Sequence, residues 1–578
     1  MSKLARVLAP LVVALATLPA VAGASPLENA YSGGYRGNAP HSPNFIWQSS
    51  LIAPDDWITG TDWFPPSSLQ QASDLAFTGN YVLEAEYTHF RFVDVSDPKH
   101  PREVPGSNTL CPAAQGDVIV FGNLMIRGQE SSHNIPNGDL HRSCETAGAG
   151  EAGVAFVGLT ILDISDVSHP RQIIGVPTCG GSHTITKYYD DVKNRLIILS
   201  TSGSKGTSAP QWGLDCSAGV VTSGRVDAVE VPLDHPERAH LLSRYVPTGG
   251  ATGGCHDVNT FEELHLIAVA CNSGNQASLI DVRDFDNPQI LWTFTYPGIS
   301  TMHTAGFSWS GRYVYVDAEP GGGSNDECNY DDDPVKYTLF IIDRVTGRLV
   351  GQWHMSHPQA TQPGGEAEYC TLHELNTVPF IDRNVIASSC YNCGNHVVDV
   401  TNARAPREVG FWDPPPSPGP VTTSLSDLSK KNGEGCWTGY WYNDDLYCNE
   451  ELFGLHVWTV NEPWWREAVT MGELNPQTMT RRMRCSVSVT GGPKRARKAG
   501  RVIARVSVFG PVTAQPAWGA KVEVSAPGFF RLVKTGESGT VSVSVKASKA
   551  GKLRVTVPEH ENMLGCAAPA KSIARMAR

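Results

Sequence analysis

The sequence predicts an all-β chain, a ring of radial sheets with a second β module behind it, and three observations carry that prediction. A strand-turn-strand unit ending in an Asp-Val or Asp-Ile pair recurs along most of the chain, no stretch sustains a 3.6-residue apolar period, and after Asn475-Pro476 the pattern changes to short strands of two-residue alternation.

Taken in order, the chain opens with Lys3 and Arg6 ahead of an apolar run from Leu8 to Val21 and the small residues Ala22-Gly23-Ala24. This is the make-up of an export signal over residues 1–24, with mature protein beginning near Ser25. The run is too short to span a bilayer and no second one follows, so a secreted or extracellular chain without a transmembrane segment is expected. Residues 25–69 form an N-terminal extension. The repeat then begins: Tyr81-Val82-Leu83 leads to Phe92-Val93-Asp94-Val95-Ser96-Asp97-Pro98, and the same order returns at Leu159–Asp166, Leu279–Val282 and His396–Val400. Weaker copies stand at Val226–Val231, Leu339–Asp343 and Leu455–Trp458.

Seven such units, each with room for four short strands, predict a seven-bladed β-propeller over 70–470. One such sheet cannot bury both faces alone, whereas radial stacking buries them against neighbours. Gly128 to Gly153 reads as a polar surface loop inside the second unit, and Pro414 to Gly435 as a linker. Residues 478–578, with Cys485–Val489, Val502–Val508, Val522–Val524 and Val541–Val545 alternating, predict a basic immunoglobulin-like β-sandwich.

Fourteen cysteines in an exported chain favour paired disulfides. Cys255 with Cys271 and Cys436 with Cys448 flank predicted hairpins, and Cys485 with Cys566 bracket the last module. Cys390-Tyr391-Asn392-Cys393 has C-x-x-C spacing but lacks the βαβ context of a redox motif, so a structural role is expected. From Arg481 onward there are 19 Lys and Arg against 4 Asp and Glu, leaving 27 against 54 before it. An acidic body with a basic tail suits an anionic cell-wall or cell-envelope polymer, the acidic body itself, or nucleic acid, the last being disfavoured.

The Val93–Pro98 and Asp399–Pro406 units, with Met302-His303-Thr304-Ala305-Gly306-Phe307, Leu372-His373-Glu374-Leu375 and Phe453-Gly454-Leu455-His456-Val457-Trp458, resemble the LVIVD-repeat family of secreted and cell-surface β-propellers, including the related choice-of-anchor proteins. The resemblance spans roughly residues 70 to 465. It implies the repeat fold and no shared chemistry.

One repeat position is chemically informative. Units three to six open with Ser182-His183-Thr184-Ile185, Cys255-His256-Asp257-Val258, Met302-His303-Thr304-Ala305 and Leu372-His373-Glu374-Leu375, whereas units one and two carry Asp74 and Asp117 at that place and unit seven Gly435-Cys436-Trp437. The first strand of a blade lines the central channel, so the four imidazoles are expected along one arc of it. Converging neutral imidazoles suit Cu, Zn or Fe, with Asp257 and Glu374 available to orient them. The competing reading is a repeat residue bonded to nearby backbone.

The acidic loop Asn325-Asp326-Glu327 to Asp331-Asp332-Asp333 offers oxygen ligands for Ca²⁺ without EF-hand spacing. Trp437, Tyr440, Trp441, Trp464 and Trp465 suit a sugar platform or blade packing equally. Nucleophile-elbow, P-loop and dinucleotide fingerprints are missing. Two functional expectations follow: a secreted binding or scaffold module of unknown ligand, and a metal-dependent, redox-capable enzyme with a histidine-lined channel.

Overall fold

The computed structural model describes residues 42–52, 72–201, 212–214, 225–245, 255–271, 275–320, 332–356, 371–391, 393–413, 435–450 and 454–575. Residues 1–24, expected to be an export signal, the segment 414–434 and the first part of the acidic loop lie outside the described residues.

Alternating β-branched and aromatic residues bounded by Asp, Asn, Gly and Pro turns make these segments strands. The strands form seven four-stranded antiparallel blades among the described residues. Blade one comprises Ala72–Thr78, Tyr81–Glu86, His89–Asp94 and Arg102–Glu103; blade two, Val118–Phe121, Leu124–Pro136, Gly153–Asp163 and Arg171–Pro177; blade three, Ile185–Asp190, Arg195–Thr201, Val226–Pro232 and His240–Tyr245. Blade four comprises Cys255–Phe261, Leu266–Cys271, Gln276–Asp281 and Gln289–Thr295; blade five, Met302–Phe307, Tyr313–Ala318, Thr338–Asp343 and Leu349–His354; blade six, Leu375–Val378, Val385–Ser389, Asn395–Asp399 and Arg407–Trp412. Blade seven takes Cys436–Tyr442, Asp445–Glu450 and Gly454–Val460 from its own region and its outer strand, Phe45–Ile52, from the N-terminal extension. The first strand of each blade packs against that of the next, and the seventh against the first, which closes the β-propeller ring. The repeated Asp-Val signature is the third strand of its blade in every case.

Blades approach one another closely at glycines. A Cβ on Gly351 would stand 1.7 Å from the carbonyl oxygen of Ala403 in the following blade. Because backbone cannot give way as a side chain can, Gly351→Ala is expected to cost about 2–3 kcal/mol, read as a lowered unfolding midpoint.

The segment expected to be a surface loop from Gly128 is instead strand as far as Pro136, paired with Gly153–Asp163 across a bulge between Gln129 and His133. Its inward side chains are the buried polar Gln129 and Glu130, so apolar alternation does not mark it. Only 137–152 form the loop, tied down by a Cys111–Cys144 disulfide.

After the ring, residues 473–479 strap across one mouth of the channel. Glu473–Leu474 pairs with blade one, Asn475 exchanges hydrogen bonds with the backbone of Val120 in blade two, and the Gln477 carbonyl accepts from Thr186 Oγ1 of blade three and Thr260 N of blade four. Beyond it, Arg484–Gly491, Ala499–Phe509 and Thr540–Lys546 form one sheet and Lys521–Ala526, Phe529–Lys534 and Gly551–Val557 another, their apolar faces sharing a core with Cys485–Cys566 at the edge. This basic module docks on the acidic ring: Arg482 and Arg484 bind Glu263, Lys534 meets Asp382, and Asn562 donates to the carbonyls of Phe380 and Arg383. Among the described residues, no helix is long and apolar enough to cross a membrane.

Candidate metal centre in the channel

Each histidine of the repeat sits at the start of a first strand, at the channel end away from the 473–479 strap. The structure brings all four together as a continuous row: ring centroids are 4.3 Å apart for His183–His256, 4.0 Å for His256–His303 and 4.2 Å for His303–His373. In blade seven Trp437 takes the equivalent place and closes the row edge-on at 4.7 Å from His373. Disulfides Cys255–Cys271 and Cys436–Cys448 clamp first to second strand beside this row in blades four and seven.

Backbone and carboxylate partners fix which ring nitrogens are left for a ligand. His373 Nδ1 lies 2.6 Å from the Trp437 carbonyl oxygen, which can only accept, so Nδ1 carries the proton and Nε2 the lone pair. Glu130 stands 3.4 Å from His183 Nδ1, and the Nε2 atoms of His183 and His256 face each other at 2.8 Å. Two nitrogens bound to one ion at about 2.0 Å each stand about 3 Å apart. His303 is fully buried, its Nδ1 on Thr304 Oγ1 at 2.9 Å and its Nε2 without a hydrogen-bond partner. Glu319 lies between the last two rings, Oε2 at 3.8 Å from His303 Nε2 and Oε1 at 4.0 Å from His373 Nε2. His256, His303 and Glu319, and His303, His373 and Glu374, are groups that could hold a metal ion.

The electrostatics keep the two most deeply buried imidazoles of the row neutral. Burial, reinforced by the neighbouring imidazoles, holds His303 well below the ordinary histidine range, and burial takes His373 down to about 3. Burial is the largest single influence on His183 and opposes its charge, but Glu130 together with Glu319 and Asp257 outweighs it and raises that ring. Glu319 is pushed up to about 7 by burial.

Asp257 and Glu374 do not hydrogen-bond an imidazole. They belong to a second tier one residue deeper, together with Asp74 and Asp117, which therefore do not align with the histidines. Asp257 accepts from Val258 N and Asn259 Nδ2, Asp74 from Val118 N and Asp117 from Ile185 N, while the Tyr440 hydroxyl lies within hydrogen-bond distance of both Asp74 Oδ1, at 3.2 Å, and Glu374 Oε2, at 3.4 Å. Asp74 and Asp117 thus stitch each blade to the next. Burial pushes Asp257 up to about 6 and Asp74 to about 7, while Asp117 and Glu374, which also face neighbouring carboxyls, are held well above their usual range.

Glu130 and Glu319 were not foreseen as part of this site. Glu319 had a legible signal, because alternation from Asp317 along the second strand of blade five puts both on one side. The Cys390, Cys393 and His396 group carries no such chemistry: the two sulfurs are joined and His396 Nδ1 is on Glu408. Of the acidic loop, Asp333 caps a turn through Val335 N and Asp332 pairs with Lys336. Trp437, Tyr440, Trp441 and Trp465 are buried in blade packing and present no sugar platform.

The LVIVD repeat matches residues 70–109 and 152–178, which hold the third strands of blades one and two. The chain carries LVIVD repeats. No curated protein matches it. Among solved structures the chain is similar to a chain of the mitotic checkpoint complex, with 11% identity over 73% of this chain and 95% of that one and a TM-score of 0.41. It is similar also to U3-55K, at 8% over 68% and 96% with 0.40, and to a hypothetical selenium-binding protein from Sulfolobus tokodaii, at 9% over 59% and 81% with 0.37.

Proposed function

We propose that this LVIVD-repeat propeller is an exported metalloprotein whose channel holds one transition-metal ion on His183, His256, His303 and His373, with Glu319 beside them. The observation that carries this reading is the row itself: four adjacent blades bring their imidazoles into contact in the channel, and the most deeply buried of them, His303, which belongs to both channel groups close enough to hold an ion, keeps an orphan Nε2 there. A buried polar atom without a partner is costly unless something binds it.

Imidazole nitrogens favour Cu, Zn or Fe over Ca²⁺, whose oxygen-rich alternative is the acidic loop. Glu130 and the Trp437 carbonyl hold two rings in orientation as partners of ligating histidines do. Such an ion would supply Lewis-acid or redox chemistry, which makes a metal-dependent enzyme the activity this centre suits. The N-terminal export signal over 1–24 and the five disulfides among the described residues agree with an oxidising, extracellular setting.

The test is metal analysis of protein purified without a histidine tag and offered Cu, Zn and Fe, beside a His256→Ala/His303→Ala variant. About one ion per wild-type chain, lost in a variant that still melts cooperatively, is the expected result. A wild type that takes up no metal, or a variant that keeps it, overturns the reading.

A scaffold role for the C-terminal module, which we read as an immunoglobulin-like sandwich over 478–578, is favoured by its surplus of cations. The ring engages Arg481, Arg482, Arg484 and Lys534, leaving exposed Arg501, Arg505, Lys546, Lys552 and Arg554 for an anionic envelope polymer.

A further inference from the structure

Tyr391 lies outside the histidine row, yet its hydroxyl donates to Glu319 Oε1 at 2.7 Å, within the centre proposed above. Its ring packs 4.5 Å from that of His373 and 5.6 Å, edge-on, from Trp437. Its backbone is unusual: φ is +53°, in the left-handed region that bulky side chains avoid. Residues held there persist only where the surroundings enforce it, and such outliers gather at functional sites.

The surroundings that enforce it are covalent and directional. Cys390 and Cys393 are joined, closing a ring of four residues around Tyr391. Cys393 N donates to Cys390 O at 3.2 Å and Gly394 N to Tyr391 O at 2.8 Å. Tyr391 and Cys436 exchange both backbone hydrogen bonds, at 3.1 and 3.0 Å, and Cys436 is itself tied to Cys448. Packing alone does not require tyrosine here, because phenylalanine makes the same ring contacts. Only the hydroxyl reaches Glu319.

We infer that Tyr391 is a positioning residue of the metal centre, held by the Cys390–Cys393 loop so that its hydroxyl aims the Glu319 carboxylate at the ion shared by the imidazoles. The inference rests on the metal reading and adds an oxygen donor to a nitrogen set. With Oε1 anchored by Tyr391, Oε2 stays turned towards His303 Nε2, which is the arrangement an ion between them needs. The C-x-x-C pair then serves geometry: it holds the loop in which the phenol sits.

The test is titration of the full chain with Co²⁺, read by its d–d absorption, and with Zn²⁺ in competition with a chelator. Tyr391→Phe is expected to weaken Zn²⁺ binding about 10- to 100-fold and to alter the Co²⁺ spectrum while leaving the unfolding midpoint in place. Glu319→Gln should lose at least as much, and the double variant no more than Glu319→Gln alone, since the hydroxyl acts through that carboxylate. Cys390→Ser/Cys393→Ser, which opens the loop but keeps the hydroxyl, should weaken binding in the same direction and serves where Tyr391→Phe does not fold. Wild-type affinity and spectrum in Tyr391→Phe or in the opened loop, or additive losses in the double variant, would overturn the inference and leave the metal centre standing. A wild type that binds neither Co²⁺ nor Zn²⁺ would overturn the metal centre and this inference with it.

Discussion

A chain that begins at residue 53, and so lacks Phe45–Ile52, is expected to lose cooperative folding of the ring. That strand is the fourth of blade seven and pairs with Gly454–Val460 along its whole length. Phe45 is 1% exposed and packs against Trp458, and Trp47 stands 4.8 Å edge-on from the same indole. The flanks of the strand bind two further blades, Asn44 Nδ2 donating to Val409 O in blade six and Ser49 Oγ to Pro98 O beyond the third strand of blade one. Losing one buried Phe and one largely buried Trp costs about 3–5 kcal/mol each, against a total stability of about 5–15 kcal/mol. The cut also leaves the third strand of blade seven as an open edge able to pair with another chain. Urea unfolding of the two chains checks this: a broad, non-cooperative or aggregating transition is expected, and an unchanged midpoint would contradict the closure.

The second large effect is a loss of stability with rising pH in the metal-free protein. Burial raises Asp74 and Glu319 to about 7 and Asp257 to about 6, and Asp117, Asp317 and Glu374 are held well above their usual range, whereas all ionise near pH 4 when unfolded. Between those values the folded state binds more protons, so the contribution of these groups is full below pH 4 and is lost as pH rises through the folded values. His303 and His373 act in the opposite sense. Their folded pKa values are depressed, so their contribution is present above about 6.5 and lost as pH falls. Above pH 6.5 these two imidazoles are neutral in both states, while His183, raised by its carboxylate neighbours, adds to the loss of stability with rising pH. From pH 6.5 to 8.5 the metal-free chain is expected to lose about 1.4 kcal/mol per pH unit for each group still protonated in the fold, so that even one such group costs about 3 kcal/mol over the range. Glu374→Gln, an isostere of the protonated acid, should flatten the slope measurably. A wild-type unfolding midpoint that is level or rising over that range would contradict the protonation state assigned to the carboxyl tier.

The parts of this molecule that were legible beforehand are those whose signal is local. The Asp-Val turn marks the third strand of each blade because the Asp side chain caps the turn that follows, as Asp94 does for Ser96 N and Asp399 for Thr401 N. The histidines were visible for the same reason, each standing directly before an apolar strand. What was hidden depends on partners distant in sequence. Phe45–Ile52 carries no turn signature and meets its partner strand some 400 residues later, so nothing near it announces a blade. The alignment of Asp74 and Asp117 with the histidines failed by one residue because bulges interrupt the first strands, between Ala72 and Leu75, Cys255 and Val258, and Met302 and Ala305. There two consecutive residues both face the channel, one above the other. Glu130 lies in the second strand of blade two and Tyr391 in the connection between the second and third strands of blade six, at places where composition suggests loop or staple and only the fold reveals what they touch.

The central claim is that four blades hold one ion between them, and it is tested most directly by anomalous diffraction from crystals of metal-loaded protein at the edge of the bound element. A single anomalous peak within about 2.0–2.2 Å of the Nε2 atoms of His183, His256, His303 and His373 is the predicted result. A loaded crystal whose only anomalous peaks lie away from the channel, with His303 Nε2 facing an ordered water, would contradict it.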